Sequence, residues 1–365
     1  MPEYLAPGVY IEEVTFGAHP IESVSTSTAG FIGAADSPQL LSRITSFADF
    51  ERQSASGSSA YLSSAVRGFF KNGGTRCFVA LIAATDPVEA ALEALANESV
   101  SILCCPDEYV FSNAARMMTE HCERRKDRFC ILQSPQPAMP VATHEPPVHS
   151  SYAAYYHPWL VVPAPDGATT LAVPPGGHVA GVYARTDLQR GVWNTPAGAQ
   201  IDGVTALSEN VTSAEADLLV DRGIDILRNE PGRGIVVSAG RTTNSDQEWK
   251  YINVRRVLIF VEHSIDRGLQ WVVFEPNGVA VWEIVRRAID AFLLGLWRSG
   301  ALIGQTADEA YFVRCDRATM TLDDIDNGRL VALVGIAPVR AAEFVILRIT
   351  CVLQQGGLCA GRDSL

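Results

Sequence analysis

The apolar positions of this chain change period as the sequence advances, and each change predicts an element. Residues 28–35 are small and apolar throughout and read as a buried strand, whereas residues 62–70 carry an amphipathic stripe stopped by Asn72-Gly73-Gly74 and read as a helix. Strand-like runs at 77–82, 101–106 and 129–132 alternate with helical patterns at 87–96 and 113–125. That alternation predicts an α/β layer around a largely parallel sheet. Residues 134–147 are proline-rich and predict a surface loop; residues 155–162 predict one further strand. Thr212-Ser213-Ala214-Glu215 has the form of a capping box, with Ala216, Leu219 and Val220 on one face behind it.

The last third carries the strongest helical periodicity. Ser245-Asp246-Gln247-Glu248 is a second capping-box pattern, followed by Tyr251, Val254, Leu258, Val261 and Ile265 as one stripe of a long helix. Asn277 is placed to cap a second helix striped by Val281, Val285, Ala288, Phe292 and Leu296. Residues 311–315, 330–336 and 343–353 read as strands, so two helices and three strands predict an α+β unit. Glu230-Pro231-Gly232-Arg233-Gly234 is the clearest punctuation in the chain, and the main boundary is expected there. The first 22 residues stand apart. Val9, Tyr10, Ile11, Glu12, Glu13 and Val14 are β-prone with no partner strand close in sequence, so they must pair at a distance, on this chain or another.

Composition narrows the function. Hydrophobic residues make up 47% of the 365 and charged residues 19%, enough for a sizeable core. Lys plus Arg number 29 against 41 Asp plus Glu, and a net charge of −12 argues against nucleic acid as a partner. No stretch approaches the roughly 18 apolar residues of a membrane helix, and the first residues lack the basic and apolar regions of a signal peptide. No membrane insertion and cytoplasmic synthesis are therefore expected. The eight cysteines include no Cys-x-x-Cys pair and are expected as reduced, buried thiols.

A search for chemistry returns little. Phosphate-loop and dinucleotide-binding patterns are absent, as is His-Glu-x-x-His. His144 and His149 flank the proline-rich loop and are expected as solvated histidines; His178, after two glycines, is a weak site candidate. Asp36, His178 and Ser238 could be arranged as a triad in subtilisin-like order, but a chain of this length offers such triples by chance. No catalytic, cofactor or metal-binding residue is assigned. The doublets Arg255-Arg256 and Arg286-Arg287 each sit on a long amphipathic helix and allow two readings: a solvated face with pairs inside the chain, or an electrostatic face toward another subunit.

Several motifs, in order along nearly the whole chain, resemble the contractile tail sheath family of phage tails and phage-like injection systems, in its compact pyocin-type form. They are Pro7-Gly8-Val9-Tyr10-Ile11-Glu12-Glu13, Gly68-Phe69-Phe70-x-Asn72-Gly73-Gly74, and Pro174-Pro175-Gly176-Gly177-His178-Val179-Ala180-Gly181-Val182-Tyr183-Ala184-Arg185-Thr186-Asp187. Arg190-Gly191-Val192-Trp193, Gly240-Arg241-Thr242, Glu248-Trp249-x-Tyr251-Ile252-Asn253-Val254-Arg255-Arg256, Phe274-Glu275-Pro276-Asn277 and Ala337-Pro338-Val339 follow. Ser238-Ala239 stands where sheath sequences often carry Trp-Gly.

The resemblance implies a structural subunit, not an enzyme, that polymerises helically around an inner tube and contracts to drive the tube through a target envelope. A subtilisin-like hydrolase and a non-contractile oligomeric scaffold are the alternatives. The implied organisation is an N-terminal strand-exchange arm over 1–22, an outer α/β domain over 23–230, a tube-proximal α+β domain over 231–342 and a C-terminal arm and tail over 343–365. The arm strands would be Val9, Tyr10, Ile11 and Glu12 with Phe344, Val345, Ile346, Leu347, Arg348 and Ile349. Candidate tube or subunit contacts are Arg255, Arg256, Arg286, Arg287, Asp323, Asp324 and Asp326. Partners would be further copies in stacked rings, an inner tube protein, a baseplate and a terminal cap, with no cofactor. Assembly would be in the bacterial cytoplasm, within a phage tail or a phage-tail-like particle that can be released from the cell.

Overall fold

A computed structural model describes residues 20–53, 57–164, 167–339 and 345–352. The first half builds a layered sheet from β1 (Ala29–Ala34), β2 (Gln39–Ile44), β3 (Cys77–Ile82), β4 (Ile102–Cys104), β5 (Phe129–Gln133) and β6 (Ala153–His157). Helices α1 (Phe47–Gln53), α2 (Ala60–Lys71), α3 (Val88–Ala96) and α4 (Ala114–Arg125) fall between them. A small antiparallel sheet follows, of β7 (Leu160–Pro163), β8 (Thr170–Val173) and β9 (Ala206–Leu207), interrupted by α5 (Gly176–Arg190). Then come α6 (Ser213–Asp221) and the hairpin β10 (Ile224–Glu230) and β11 (Gly234–Val237).

The large sheet has the order β11-β10-β6-β5-β4-β1-β3-β2. Its six inner strands are parallel, and β2 and β11 run antiparallel at the two edges. The inner strands are buried on both faces, as helices on both sides of a parallel sheet require. The turn at 231–233 joins two strands of this sheet, so the expected boundary falls inside a hairpin: the positive-φ Gly232 and Gly234 punctuate a turn, not a linker. Residues 155–162 are not one strand either. Pro158 has no amide hydrogen to donate, and β6 and β7 on its two sides join different sheets.

Close backbone approach explains the Gly-rich motif of α5. A Cβ at Gly177 would come within 2.4 Å of Ala65, and one at Gly181 within 2.5 Å of the Phe69 carbonyl, so α2 and α5 pack almost in backbone contact. Ser59 caps α2 by accepting from the Leu62 amide at 3.0 Å. Asn72 ends it, bonding both the Gly68 carbonyl and the backbone of Asp202. The Thr212–Glu215 capping box forms as expected.

The second half consists of α7 (Ile252–Gly268), α8 (Val279–Arg298), α9 (Ala307–Ala310), β12 (Tyr311–Arg314), α10 (Leu322–Asp326), β13 (Arg329–Ile336) and β14 (Val345–Val352). β12, β13 and β14 form an antiparallel sheet in that order. Two helix-start expectations change here. α7 begins at Ile252 without a side-chain cap, and residues 246–248 form a turn in which Asp246 accepts from the Glu248 amide. Gly278 occupies the cap position of α8; Asn277 instead bonds the Arg329 carbonyl and the Trp282 indole.

The buried apolar residues form two cores. One surrounds the large sheet and the other lies among α7, α8 and the three-stranded sheet. α7 serves both: Ile252 and Ile259 pack in the sheet core, while Val254, Val257, Leu258, Val261 and Ile265 pack in the second.

Candidate functional site

With two cores sharing one helix, the polar residues of that helix decide how firmly the halves are joined. Arg256 and Asp187 are both almost fully buried and form a bidentate pair, at 2.6 Å (Nη2–Oδ2) and 2.9 Å (Nη1–Oδ1). Arg256 Nη2 also donates to the Thr26 carbonyl at 3.1 Å, and its guanidinium lies 4.7 Å from the Tyr183 ring centre. Burial pushes the Asp187 carboxyl up, and Arg256 pulls against that shift. Arg255 is sandwiched instead of paired, 3.9 Å from the centre of the Trp249 ring and 4.4 Å from that of Tyr152. The doublet was open to reading as a solvated face with pairs inside the chain or as a face toward another subunit; both side chains are buried, and Arg256 makes its pair inside the chain, fastening α7 to α5.

Other motif residues also bond within the chain. Arg185 pairs with Asp202 at 2.8 Å, Asn253 donates to the Trp193 carbonyl at 3.1 Å, and Asp225 accepts from the Arg241 amide at 2.8 Å. Thr242 donates its hydroxyl to the Trp249 carbonyl at 2.6 Å.

Arg286 and Arg287 point outward from α8. Both bond Glu283, at 2.7–3.0 Å, and with Arg286 as the larger influence they hold its carboxyl down to about 2. The acidic turn forms a capping box, Thr321 with Asp324, and Arg329 spans Asp323 and Asp324. Asp326 and the neighbouring Leu322 are exposed, Leu322 at 79%. β14 pairs with β13 from Arg329↔Val352 to Ile336↔Val345 and is one of the two edge strands of its sheet among the described residues, β12 being the other. Its backbone includes Val345, Ile346, Leu347, Arg348 and Ile349. Phe344, Val9, Tyr10, Ile11 and Glu12 lie outside the described residues.

The structure does not assemble the subtilisin-like triple. His178 is buried beside α2, whereas Ser238 lines a shallow depression with Asp217, Asp221 and Arg241. His144 was expected in solvent and is fully buried: Nε2 lies 3.1 Å from the Tyr155 hydroxyl, and the ring stands edge-on to His157 with centroids 4.7 Å apart. His149 is exposed, with Nδ1 3.1 Å from the Thr243 carbonyl. Glu108 and Asp225 are buried carboxyls that no sequence pattern flagged. Desolvation pushes both up to about 8. Among the described residues no group of three or more His, Cys, Asp or Glu is disposed to hold a metal, and the six described cysteines are free and buried. Among the described residues no helix is long and apolar enough to cross a membrane.

Comparison with known proteins gives this arrangement its relatives. The phage tail sheath protein central domain matches residues 83–243, and the phage tail sheath C-terminal domain matches 244–351. The contracted helical sheath of the anti-feeding prophage (AFP) is 35% identical, with 94% of this chain and 99% of that one covered and a TM-score of 0.76. The PVC sheath complex of an extracellular contractile injection system, also contracted, is 30% identical, with 95% and 98% covered and a TM-score of 0.78. The tail sheath protein of Vibrio phage KVP40 is 28% identical over 179 residues, 48% of this chain but only 26% of that longer protein. The chain belongs to the phage tail sheath family.

Proposed function

We propose that this chain is the subunit of a contractile sheath: it polymerises helically around an inner tube and, on contraction, drives the tube through a target envelope. The observation that carries the reading is the near full-length likeness to two contracted sheaths, together with a joint that makes one body of two cores. A subunit that reorients during contraction must transmit force without coming apart, and α7 with its buried arginines supplies that stiffness. The work would come from new contacts between subunits, with no catalytic step, and a kinetic barrier would hold the extended state.

In this reading the sheet-centred half, with its last strand β11 included, faces outward and the α7–β13 half faces the tube. Residues 1–22 and 343–365 are the strand-exchange arms. Val9, Tyr10, Ile11 and Glu12 would add a strand at the outer edge of a neighbour's β14, where backbone pairing needs no side-chain match. Arg286, Arg287, Asp323, Asp324 and Asp326 remain the candidate contacts with tube or subunits. Baseplate and cap proteins would bound the polymer, which would assemble in the bacterial cytoplasm as part of a phage tail or a related particle released from the cell.

Deleting residues 1–15 tests the reading. The expected product is a folded protein with native circular dichroism that sediments as a single subunit under conditions in which the full chain polymerises. Unimpaired polymerisation of the truncated chain would contradict strand exchange.

A further inference from the structure

A cavity of about 220 Å³ lies between α2 and the small sheet, and none of the residues of the arginine joint lines it. Arg67 and Lys71, Ser63 and Ser64 line it from α2, His178 closes it from α5, and Val162 and Leu171 contribute an apolar wall. No carboxylate lines it among the described residues, although the chain as a whole carries −12. Arg67 and Lys71 are four residues apart on one helix face, where like charges repel, and neither is in an ion pair with a described residue. The Arg67 guanidinium is held 4.5 Å from the centre of the Phe47 ring, which restricts its freedom before anything binds.

His178 adds a second, independent sign. It is 3% exposed, and its Nδ1 is buried with no hydrogen-bond partner. Leaving a buried polar atom unpaired costs free energy, so such an atom beside a cavity marks a place where a partner is missing. A Cβ at Gly68 would come within 2.4 Å of that nitrogen, so a glycine is needed for the ring to lie against α2 at all. Burial, and then the nearby Lys71, push His178 down to about 4, which leaves the ring neutral near pH 7 with one N–H to donate.

We propose that this cavity binds one oxyanion group, a phosphate or a carboxylate, held by Lys71 and Arg67 with the hydroxyls of Ser63 and Ser64 as further donors. The group can come from a free anion or from an acidic side chain of a second copy of this chain; only the second source rests on the polymerisation proposed above. An oxyanion neutralises the repulsion between the two cations and fills a space lined by donors.

The full chain, with its histidines labelled with nitrogen-15, is titrated with inorganic phosphate at constant ionic strength. Binding to the site shifts the His178 ring resonances saturably; Lys71→Ala and Arg67→Ala each weaken the response by about tenfold or more, and Lys71→Arg restores most of it. Arg116→Ala, on the exposed face of α4 and not among the residues lining the cavity, leaves it unchanged. In parallel, amine acetylation of Lys71 is compared between isolated subunit and assembled particle, with assembly verified first by electron microscopy. A phosphate response identifies a free anion. Protection of Lys71 only in the particle, lost in chains whose surface carboxylates have been amidated, identifies a second copy. No phosphate response together with an equally reactive Lys71 in verified particles overturns the site. A failure to form particles counts against the proposed function, and the phosphate titration then decides the site alone.

Discussion

On α7 the arginines at 255 and 256 are inside the molecule; on α8 those at 286 and 287 are outside it. The two helices are otherwise alike: long, amphipathic and each carrying the doublet beside its apolar stripe. The difference lies in where the partners are. Glu283 sits three and four residues from Arg286 and Arg287, within one turn of the same helix. The carboxylate of Arg256 is 69 residues away on α5, and the rings flanking Arg255 come from Trp249 and from Tyr152 in the sheet half. Identical dipeptides therefore serve as a fastener between cores in one place and as a solvated charge in the other. What decides is whether the helix has one buried face or two.

Breaking the joint should have the largest effect. Asp187→Ala strands the Arg256 guanidinium in a buried site, and a loss of about 3–5 kcal/mol in urea unfolding is expected. Pairing Arg256→Met with Asp187→Leu should recover most of it, because the desolvation penalty leaves with the charges. A cost for Asp187→Ala no larger than that of a surface pair would show that the halves are joined mainly by the apolar faces of α7.

Removing the sandwiched cation should come next. Arg255→Ala loses contact with two aromatic faces, and about 2 kcal/mol is expected from the same measurement. Arg255→Lys should recover only part of this, since an ammonium lacks the planar fork that lies near both rings and donates to the Tyr152 hydroxyl.

The pH dependence sharpens the contrast between halves, because the strongly shifted buried groups that titrate between pH 4 and 8 belong to the sheet half. His121, His157 and His178 are pushed down to about 4 by burial, with Arg128, His144 and Lys71 respectively as the next contributors. The unfolded chain takes up protons at these rings below pH 6.5 while the folded chain does not, so their contribution is lost as pH falls from 6.5 through 4. Glu108 and Asp225, pushed up to about 8, stay protonated in the folded chain; their contribution is present below the ordinary carboxyl range and is lost as pH rises through 8. With three groups of the first kind and two of the second, stability measured by urea midpoints should peak near pH 6.5. Glu108→Gln should flatten the fall on the alkaline side.

The smallest effect on folding is expected at the outer doublet. Arg286→Ala and Arg287→Ala should leave the urea midpoint unchanged within error, because exposed pairs contribute little. They should instead weaken polymerisation at low salt and reduce its salt dependence, as read by sedimentation.

The contrast also marks how far the sequence could be read. In the sheet half α2, α3 and α4 were legible because they carry their stops and stripes locally, whereas β2, α1, α5 and β10 drew no expectation. Residues 155–162 misled because an apolar run says nothing about which sheet each end joins, and Pro158 was the one signal available. The turn at 231–233 read as a boundary because glycine and proline mark hairpins and linkers alike. His144 looked solvated from its proline-rich surroundings, yet the Tyr155 hydroxyl beside it in the core is on β6, the next strand along the chain. The Pro174–Asp187 motif was legible as a signature but not as a mechanism. Gly177 and Gly181 serve packing against α2, Gly176 serves packing against β4 and β5, and its last residue is half of the joint.

The central claim is that this chain, as one rigid body, builds a hollow polymer. The most direct test is electron microscopy of the purified full-length protein, alone and co-expressed with its tube protein. Hollow helical tubes or stacked rings, with both cores of each subunit superimposing as a unit on the fold described above, are the predicted result. Discrete globular particles under every condition would contradict it.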